Sequence, residues 1–70
     1  MTTLTIKNLR KQDKEAYFKL VNKKGEASKT IYFVNFYDRS YKKYSISPFE
    51  DTNKEKWINP NQLVTTEFEF

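Results

Sequence analysis

A stretch of mixed aromatic and basic residues, 30–49, is the part of this sequence best suited to binding a ligand. Seven of its twenty residues are aromatic and three are cationic. Aromatic rings can stack on nucleic-acid bases while neighbouring lysine and arginine side chains contact phosphates. The same rings would equally serve as the core of a very small protein. The residues that we predict to bind nucleic acid share this aromatic or basic character: Phe33, Tyr37, Arg39, Tyr41, Lys42 and Lys43.

Residues for enzyme catalysis are sparse. The chain has no histidine and no cysteine, which excludes a Ser-His-Asp or Cys-His arrangement and imidazole or thiolate ligands for zinc. Its one glycine cannot build a phosphate-binding loop. Residues 51–55 resemble the start of a calcium loop but lack its glycine, and the pair Glu67 and Glu69 is expected to be solvated on a strand. We therefore expect no enzyme activity, no cofactor and no metal site.

Length and charge point to one small domain with an uneven charge distribution. Seventy residues allow a single β-rich domain, 1–70, and a domain of this size buries only about 60% of its surface on folding. Residues 1–49 contain eleven Lys or Arg against four Asp or Glu, whereas residues 50–70 contain two against five. The first part is therefore suited to attract polyanions, and the end of the chain is not.

The sequence also bears on location and source. It has no apolar stretch typical of a signal peptide and no apolar run of about twenty residues for a membrane span. We expect a cytoplasmic protein with no membrane partner. The abundance of lysine and asparagine suggests an AT-rich bacterial, phage or mobile-element gene.

Strands are predicted to position the aromatic and basic residues. Apolar alternation predicts strands over residues 2–8, 16–22, 30–37, 41–47 and 61–70. Charged residues 9–15 are expected to connect the first two strands, and Gly25 is expected to allow the turn over residues 23–29. Ser47, Pro48 and Glu50 form a capping box, which predicts a helix of about ten residues from Pro48. Trp57 is expected to cover one end of the core.

The register of the hairpin formed by residues 30–47 determines which rings share a face. A three-residue loop, 38–40, pairs Tyr37 with Tyr41 and is the preferred arrangement, because it separates a mixed face from a purely apolar one. A two- or four-residue loop would instead pair Tyr37 with Lys42. In the preferred register the mixed face holds Phe33, Asn35, Tyr37, Tyr41, Lys43 and Ser45. The apolar face, predicted to join the core, holds Tyr32, Val34, Phe36, Tyr44 and Ile46.

These elements predict a mainly β fold: a small five-stranded curved antiparallel sheet, or an SH3-like or OB-like partly closed barrel, with one short helix before the last strand. Residues 57–64, Trp-Ile-Asn-Pro-Asn-Gln-Leu-Val, resemble the proline-containing turn that leads into the last strand of SH3-like barrels. The acidic aromatic start and the glycines of SH3 domains are missing, so the resemblance does not extend to peptide recognition.

The sequence is compatible with two functions. The first is a small basic accessory protein, of phage or mobile-element type, that binds nucleic acid and prefers single-stranded DNA. In this first function, the rings of Tyr37, Tyr41 and Phe33 stack on bases. Arg39 and Lys43 contact phosphates, and Lys42 also contacts a phosphate if the hairpin register places it on the same face. The alternative is a protein that modulates a host or replication protein through the same rings. If the last strand lies at a sheet edge, it could also pair with a second copy to form a homodimer.

Overall fold

Two three-stranded antiparallel sheets and one short helix make up the part of the chain that the computed structural model describes, residues 2–68. The elements in chain order are β1 (Leu4–Thr5), α1 (Ile6–Gln12), β2 (Lys19–Leu20), β3 (Tyr32–Asp38), β4 (Lys43–Pro48), β5 (Lys56–Ile58) and β6 (Leu63–Thr65). The strand orders are β1-β6-β2 and β3-β4-β5. The mainly β class is therefore confirmed, but the sheets do not close into a barrel and there are six short strands in residues 2–68.

The helix lies after the first strand, so its predicted place before the last strand is wrong. Residues 2–8 form only the two-residue strand β1 before α1 begins at Ile6. The Thr5 hydroxyl caps the helix by accepting a hydrogen bond from the Asn8 N–H at 3.2 Å. Ile6 and Leu9, three residues apart, both reach the core. The two-residue spacing of Leu4 and Ile6 is typical of a strand, whereas the three-residue spacing of Ile6 and Leu9 is typical of a helix.

Phe18 joins the two sheets. Its N–H donates to the Tyr32 carbonyl at 3.0 Å, and the Tyr32 N–H donates to the Phe18 carbonyl at 2.7 Å. The strand predicted over residues 16–22 is shorter, because only Lys19 and Leu20 belong to β2, with single bridges at Phe18 and Val21. The turn at Gly25 is confirmed, since its φ is +84°.

The core lies between the sheets and the helix. Its buried members are Ile6, Leu9, Phe18, Ile46, Ile58 and Val64. Of the residues predicted to join it from the hairpin, Ile46 is buried, and Tyr32, Val34 and Tyr44 pack against it. Phe36 does not, because its side chain is 49% exposed.

The hairpin of β3 and β4 is confirmed, but its register differs from both arrangements considered above. Tyr37 pairs with Tyr44, and residues 39–42 form a four-residue turn. The register shifts between Val34 and Phe36, where Asn35 is an extra residue on β3. This β-bulge reverses the faces of Phe36 and Tyr37 relative to the prediction, so that Phe36 points away from the core.

The helix predicted from Pro48 is wrong. Pro48 pairs with Tyr32 as the last residue of β4, and tight turns follow in which the Asp51 N–H donates to the Pro48 carbonyl and the Lys54 N–H to the Asp51 carbonyl. The chain then enters β5, which contains Trp57. Trp57 is therefore a strand residue rather than a lid on the core.

The last strand is shorter than the predicted 61–70 and lies at the centre of its sheet. β6 pairs with β1 on one side and with β2 on the other, so it is not an edge strand. Thr65, within β6, is fully buried. The predicted positions of Glu69 and Phe70 on this strand lie outside the described residues.

Candidate nucleic-acid interface

The face of the β3-β4-β5 sheet that points away from the core, here called the outer face, carries most of the candidate residues. Cross-strand pairs define it: Phe36 lies opposite Ser45, which lies opposite Trp57, and Phe33 lies opposite Ser47. These pairs alternate with the inward pair of Val34 and Ile46. The alternation follows from the pleat of the strands and from the bulge at Asn35.

Three rings meet at one end of this face and form the Trp57 cluster: Phe36, Tyr41 and Trp57. The Phe36 and Trp57 ring centroids are 5.6 Å apart with the planes at 81°, and those of Tyr41 and Trp57 are 5.7 Å apart at 57°. Phe36 is 49% exposed and Tyr41 is 70% exposed, while Trp57 is partly buried. The rings support one another and still present aromatic surface to solvent.

The turn beside the Trp57 cluster carries the predicted cations. The Asp38 carboxylate accepts hydrogen bonds from the backbone N–H groups of Ser40 at 2.8 Å and Tyr41 at 3.0 Å. These bonds fix the backbone of the turn, from which the Tyr41 side chain extends. Arg39 and Lys42 are exposed in the turn, and Lys43 lies opposite Asp38 on the outer face. All three predicted cations therefore lie within two residues of Tyr41 in the chain.

Phe33 lies on the outer face but in a second group of rings. Its centroid is 6.2 Å from that of Tyr17, which is 5.4 Å from that of Phe49. Two lysines border hollows that these rings line: Lys14 with Tyr17 and Phe33, and Lys29 with Phe49. Phe33 is thus separated from Tyr41, although the sequence predicted one continuous set.

Tyr37 lies on the inward side, so the prediction that it shares a face with Tyr41 is wrong. Its ring is 4.7 Å from that of Tyr44, which packs against the core. With Lys7 and Pro60 these two tyrosines border a small hollow. Tyr37 is 41% exposed at the margin of the sheet, but it does not contact the Trp57 cluster.

Sequence reasoning missed Phe36 and Trp57 as members of the site. The signal for them is the polar pattern of the neighbouring strand, because Ser45 and Ser47 alternate with Tyr44 and Ile46. Ser45 and Ser47 are nevertheless buried, so larger side chains on the adjacent strands cover them. Phe36 and Trp57 provide this cover for Ser45.

A hydrogen-bonded network crosses the outer face beside these rings. The Asn35 Nδ2 group donates to Ser47 Oγ at 2.7 Å and to Ser45 Oγ at 3.3 Å. Ser45 Oγ in turn donates to Glu55 Oε2. Ser45 and Ser47 are buried, whereas Asn35 and Glu55 are exposed. The network therefore satisfies two buried hydroxyls and holds a carboxylate and an amide at the surface.

Within residues 2–68, no group of three or more Asp or Glu side chains is placed to hold a metal ion. The same residues include no helix with the length and apolar character needed to cross a bilayer.

Comparison with known proteins returned no relative. The chain matches no protein-family model, no curated protein and no solved structure.

Proposed function

We propose that this protein binds single-stranded nucleic acid on its outer face. Bases stack on Phe36, Tyr41 and Trp57, and phosphates contact Arg39, Lys42 and Lys43. The observation that carries the proposal is the contact between three partly exposed rings, one of which lies in a turn with Arg39 and Lys42 and directly before Lys43. The composition suits an accessory protein of phage or mobile-element type acting in the cytoplasm.

Base stacking and phosphate contacts together provide enough binding free energy for micromolar affinity. Stacking of one base on an exposed ring contributes about 1 to 3 kcal/mol, so two stacked bases and a few phosphate contacts give micromolar binding or better. The core does not require these rings, because its buried members come from other positions. Paired bases in a duplex hide the faces that would stack, which is why the proposal specifies single strands.

Charge favours nucleic acid over a protein as the partner of this surface. Lysine is depleted in the cores of protein interfaces, whereas it is common around phosphate-binding surfaces. Lys42 and Lys43 directly follow Tyr41 in the chain, and the Tyr41 ring contacts that of Trp57.

A polarisation titration with a labelled single-stranded 20-mer, its duplex and a range of salt concentrations tests the proposal. We expect tighter binding to the single strand, and a loss of about twentyfold in affinity between 50 and 200 mM salt if three phosphates are contacted. Because Trp57 is the only tryptophan, its fluorescence should change on binding. Absence of binding at 50 mM salt would contradict the proposal.

The open side of β3 favours a second candidate, which is binding to a host or replication protein. Within residues 2–68, β3 pairs along its length only with β4, and its other side has the single bridge between Tyr32 and Phe18. An extended segment of a partner can add to such an edge. A partner captured from bacterial lysate that survives nuclease treatment, with no oligonucleotide binding by the pure protein, would favour this candidate.

A further inference from the structure

The outer face combines rings with fixed hydrogen-bond acceptors. We infer that Glu55 selects among the bases that stack on the Trp57 cluster and favours guanine over thymine or uracil. This inference rests on the proposed function, because it assigns a base preference to the same surface.

The Glu55 carboxylate lies in the right part of the face for this role. Glu55 precedes Trp57 by two residues, and Ser45, the cross-strand partner of Trp57, donates its hydroxyl proton to Glu55 Oε2. The hydrogen bond therefore holds the Glu55 carboxylate beside Ser45, next to the position of Trp57 on the outer face. A base stacked beside Trp57 can therefore direct its edge toward Glu55 Oε1.

The network of Asn35, Ser45 and Glu55 offers acceptors rather than donors to a ligand. Both protons of the Asn35 amide group have serine acceptors, which leaves Asn35 Oδ1 as the remaining polar atom. Ser45 uses its proton on Glu55. Within residues 2–68, no protein donor contacts Asn35 Oδ1 or Glu55 Oε1. A ligand that meets this network is therefore recognised through its own N–H groups.

The bases differ in the N–H groups that they present to these acceptors. Guanine presents two adjacent N–H donors, at N1 and N2, to a carboxylate. Thymine and uracil present one N–H between two carbonyl oxygens, which a carboxylate repels. Cytosine and adenine present an amino group beside an acceptor, so they should rank between these extremes. Well-formed contacts between side chains and base edges discriminate between bases by about fivefold or more.

The position of the cations supports the same orientation of the strand. Along β4, Lys43 comes first, Ser45 lies between Phe36 and Trp57, and Ser47 follows near Asn35. Phosphates are attracted to the turn that contains Arg39 and Lys42, and the Glu55 carboxylate repels them. The backbone of a bound strand should therefore lie toward the turn, with base edges directed toward Glu55.

The test uses four 12-mers with the repeats TTG, TTA, TTC and TTT, and measures dissociation constants by polarisation at 50 mM salt. Wild-type protein should bind the TTG oligonucleotide about tenfold more tightly than the TTT one. Glu55→Gln should reduce this ratio to about twofold or less, because the carboxamide presents a donor as well as an acceptor. It should not weaken TTT binding, because the carboxylate that repels the carbonyl oxygens of thymine is removed. Ser45→Ala, which releases the carboxylate, should also reduce the ratio.

Glu26→Gln is the matched control, since Glu26 is an exposed carboxylate beside Gly25, outside the outer face. It should keep the wild-type ratio. Binding of all four oligonucleotides with equal affinity, or an unchanged ratio in a folded Glu55→Gln variant, would overturn the base preference while leaving the proposed function intact. Failure of all four to bind would instead contradict the proposed function. Thermal unfolding of each variant shows whether it is folded.

Discussion

The rings of Tyr41 and Trp57 lie 5.7 Å apart, which connects the β3-β4 turn to strand β5. Tyr41 is 70% exposed, whereas the partly buried Trp57 ring lies between it and Phe36. The contact matters because it assembles a stacking surface from parts of the chain that are distant in sequence. The sheet places them together through the pairing of Trp57 with Ser45.

Replacement of Tyr41 by alanine should weaken binding of single strands by about fivefold to 150-fold, since one stacking surface is lost. Tyr37→Ala is the matched control, because Tyr37 is also partly exposed but faces the opposite side of the sheet with Tyr44. Its effect on binding should be about twofold or less. Polarisation titrations of both variants, each checked for folding by circular dichroism, make the comparison. Equal effects of the two changes would place the site elsewhere.

The hairpin shows how much of this surface could be predicted from sequence. Residues rich in β-branched and aromatic side chains indicated β3 and β4, and the inward positions of Val34, Tyr44 and Ile46 followed from their alternation. Arg39 was also placed correctly in the turn, whereas Lys42 was assigned to the following strand and lies in the turn instead. These features depend on local preferences, which a single sequence carries.

The register did not follow from local preferences. It depends on Asn35, whose amide group bonds to two serines on the neighbouring strand and occupies a bulge. A bulge reverses the faces of the residues that follow it, so Tyr37 was assigned to the binding face and Phe36 to the core. The helix that begins at Ile6 was missed for a related reason. The Ile6 N–H donates to the Gln62 carbonyl, which is distant in sequence, and the alternation of apolar residues does not reveal such a contact.

We expect Lys42 to favour the binding of nucleic acid while it lowers the stability of the fold. Its φ of 57° lies in the left-handed region, which costs a residue with a side chain roughly 1 kcal/mol relative to glycine. Lys42→Gly should therefore raise the free energy of unfolding, by up to about 1 kcal/mol, measured by urea denaturation. The same change should reduce the slope of log affinity against log salt by about 0.7, because one phosphate contact is lost.

Lys23→Gly is the matched control for Lys42. Lys23 is an exposed lysine in the turn that contains Gly25, outside the outer face. The control should leave the salt dependence unchanged and should not raise the free energy of unfolding, since Lys23 does not have a positive φ. A wild-type salt slope in Lys42→Gly would show that Lys42 does not contact phosphate.

Glu67 should make the attachment of the N-terminal segment sensitive to acid. The Thr2 backbone N–H donates to Glu67 Oε2 at 2.8 Å, and this hydrogen bond lowers the pKa of Glu67 from its usual value of 4.5. Because the folded-state pKa is lowered, the contribution to stability is present above pH 4.5 and is lost as the pH falls through the folded-state pKa.

The Thr2 amide resonance should therefore titrate with a midpoint below 4.5, measured by NMR between pH 6 and 2. Glu67→Gln should remove this titration, whereas Glu26→Gln should leave it unchanged. A midpoint at or above 4.5 would contradict the lowered pKa.

The bulge residue offers a test of what sets the faces of the hairpin. Deletion of Asn35 allows regular pairing of β3 and β4, in which Val34 faces inward, Phe36 outward and Tyr37 inward, as they do now. The contact between Phe36 and Trp57 should therefore persist, visible as nuclear Overhauser effects between their rings. The deletion should lower the free energy of unfolding by about 1 to 3 kcal/mol, because the buried Ser47 hydroxyl loses its donor. Asn35→Ala removes the same hydrogen bonds while it keeps the residue count, so it should cost a similar amount. Loss of the Phe36 and Trp57 contact in the deletion alone would show that the bulge itself holds Phe36 on the outer face.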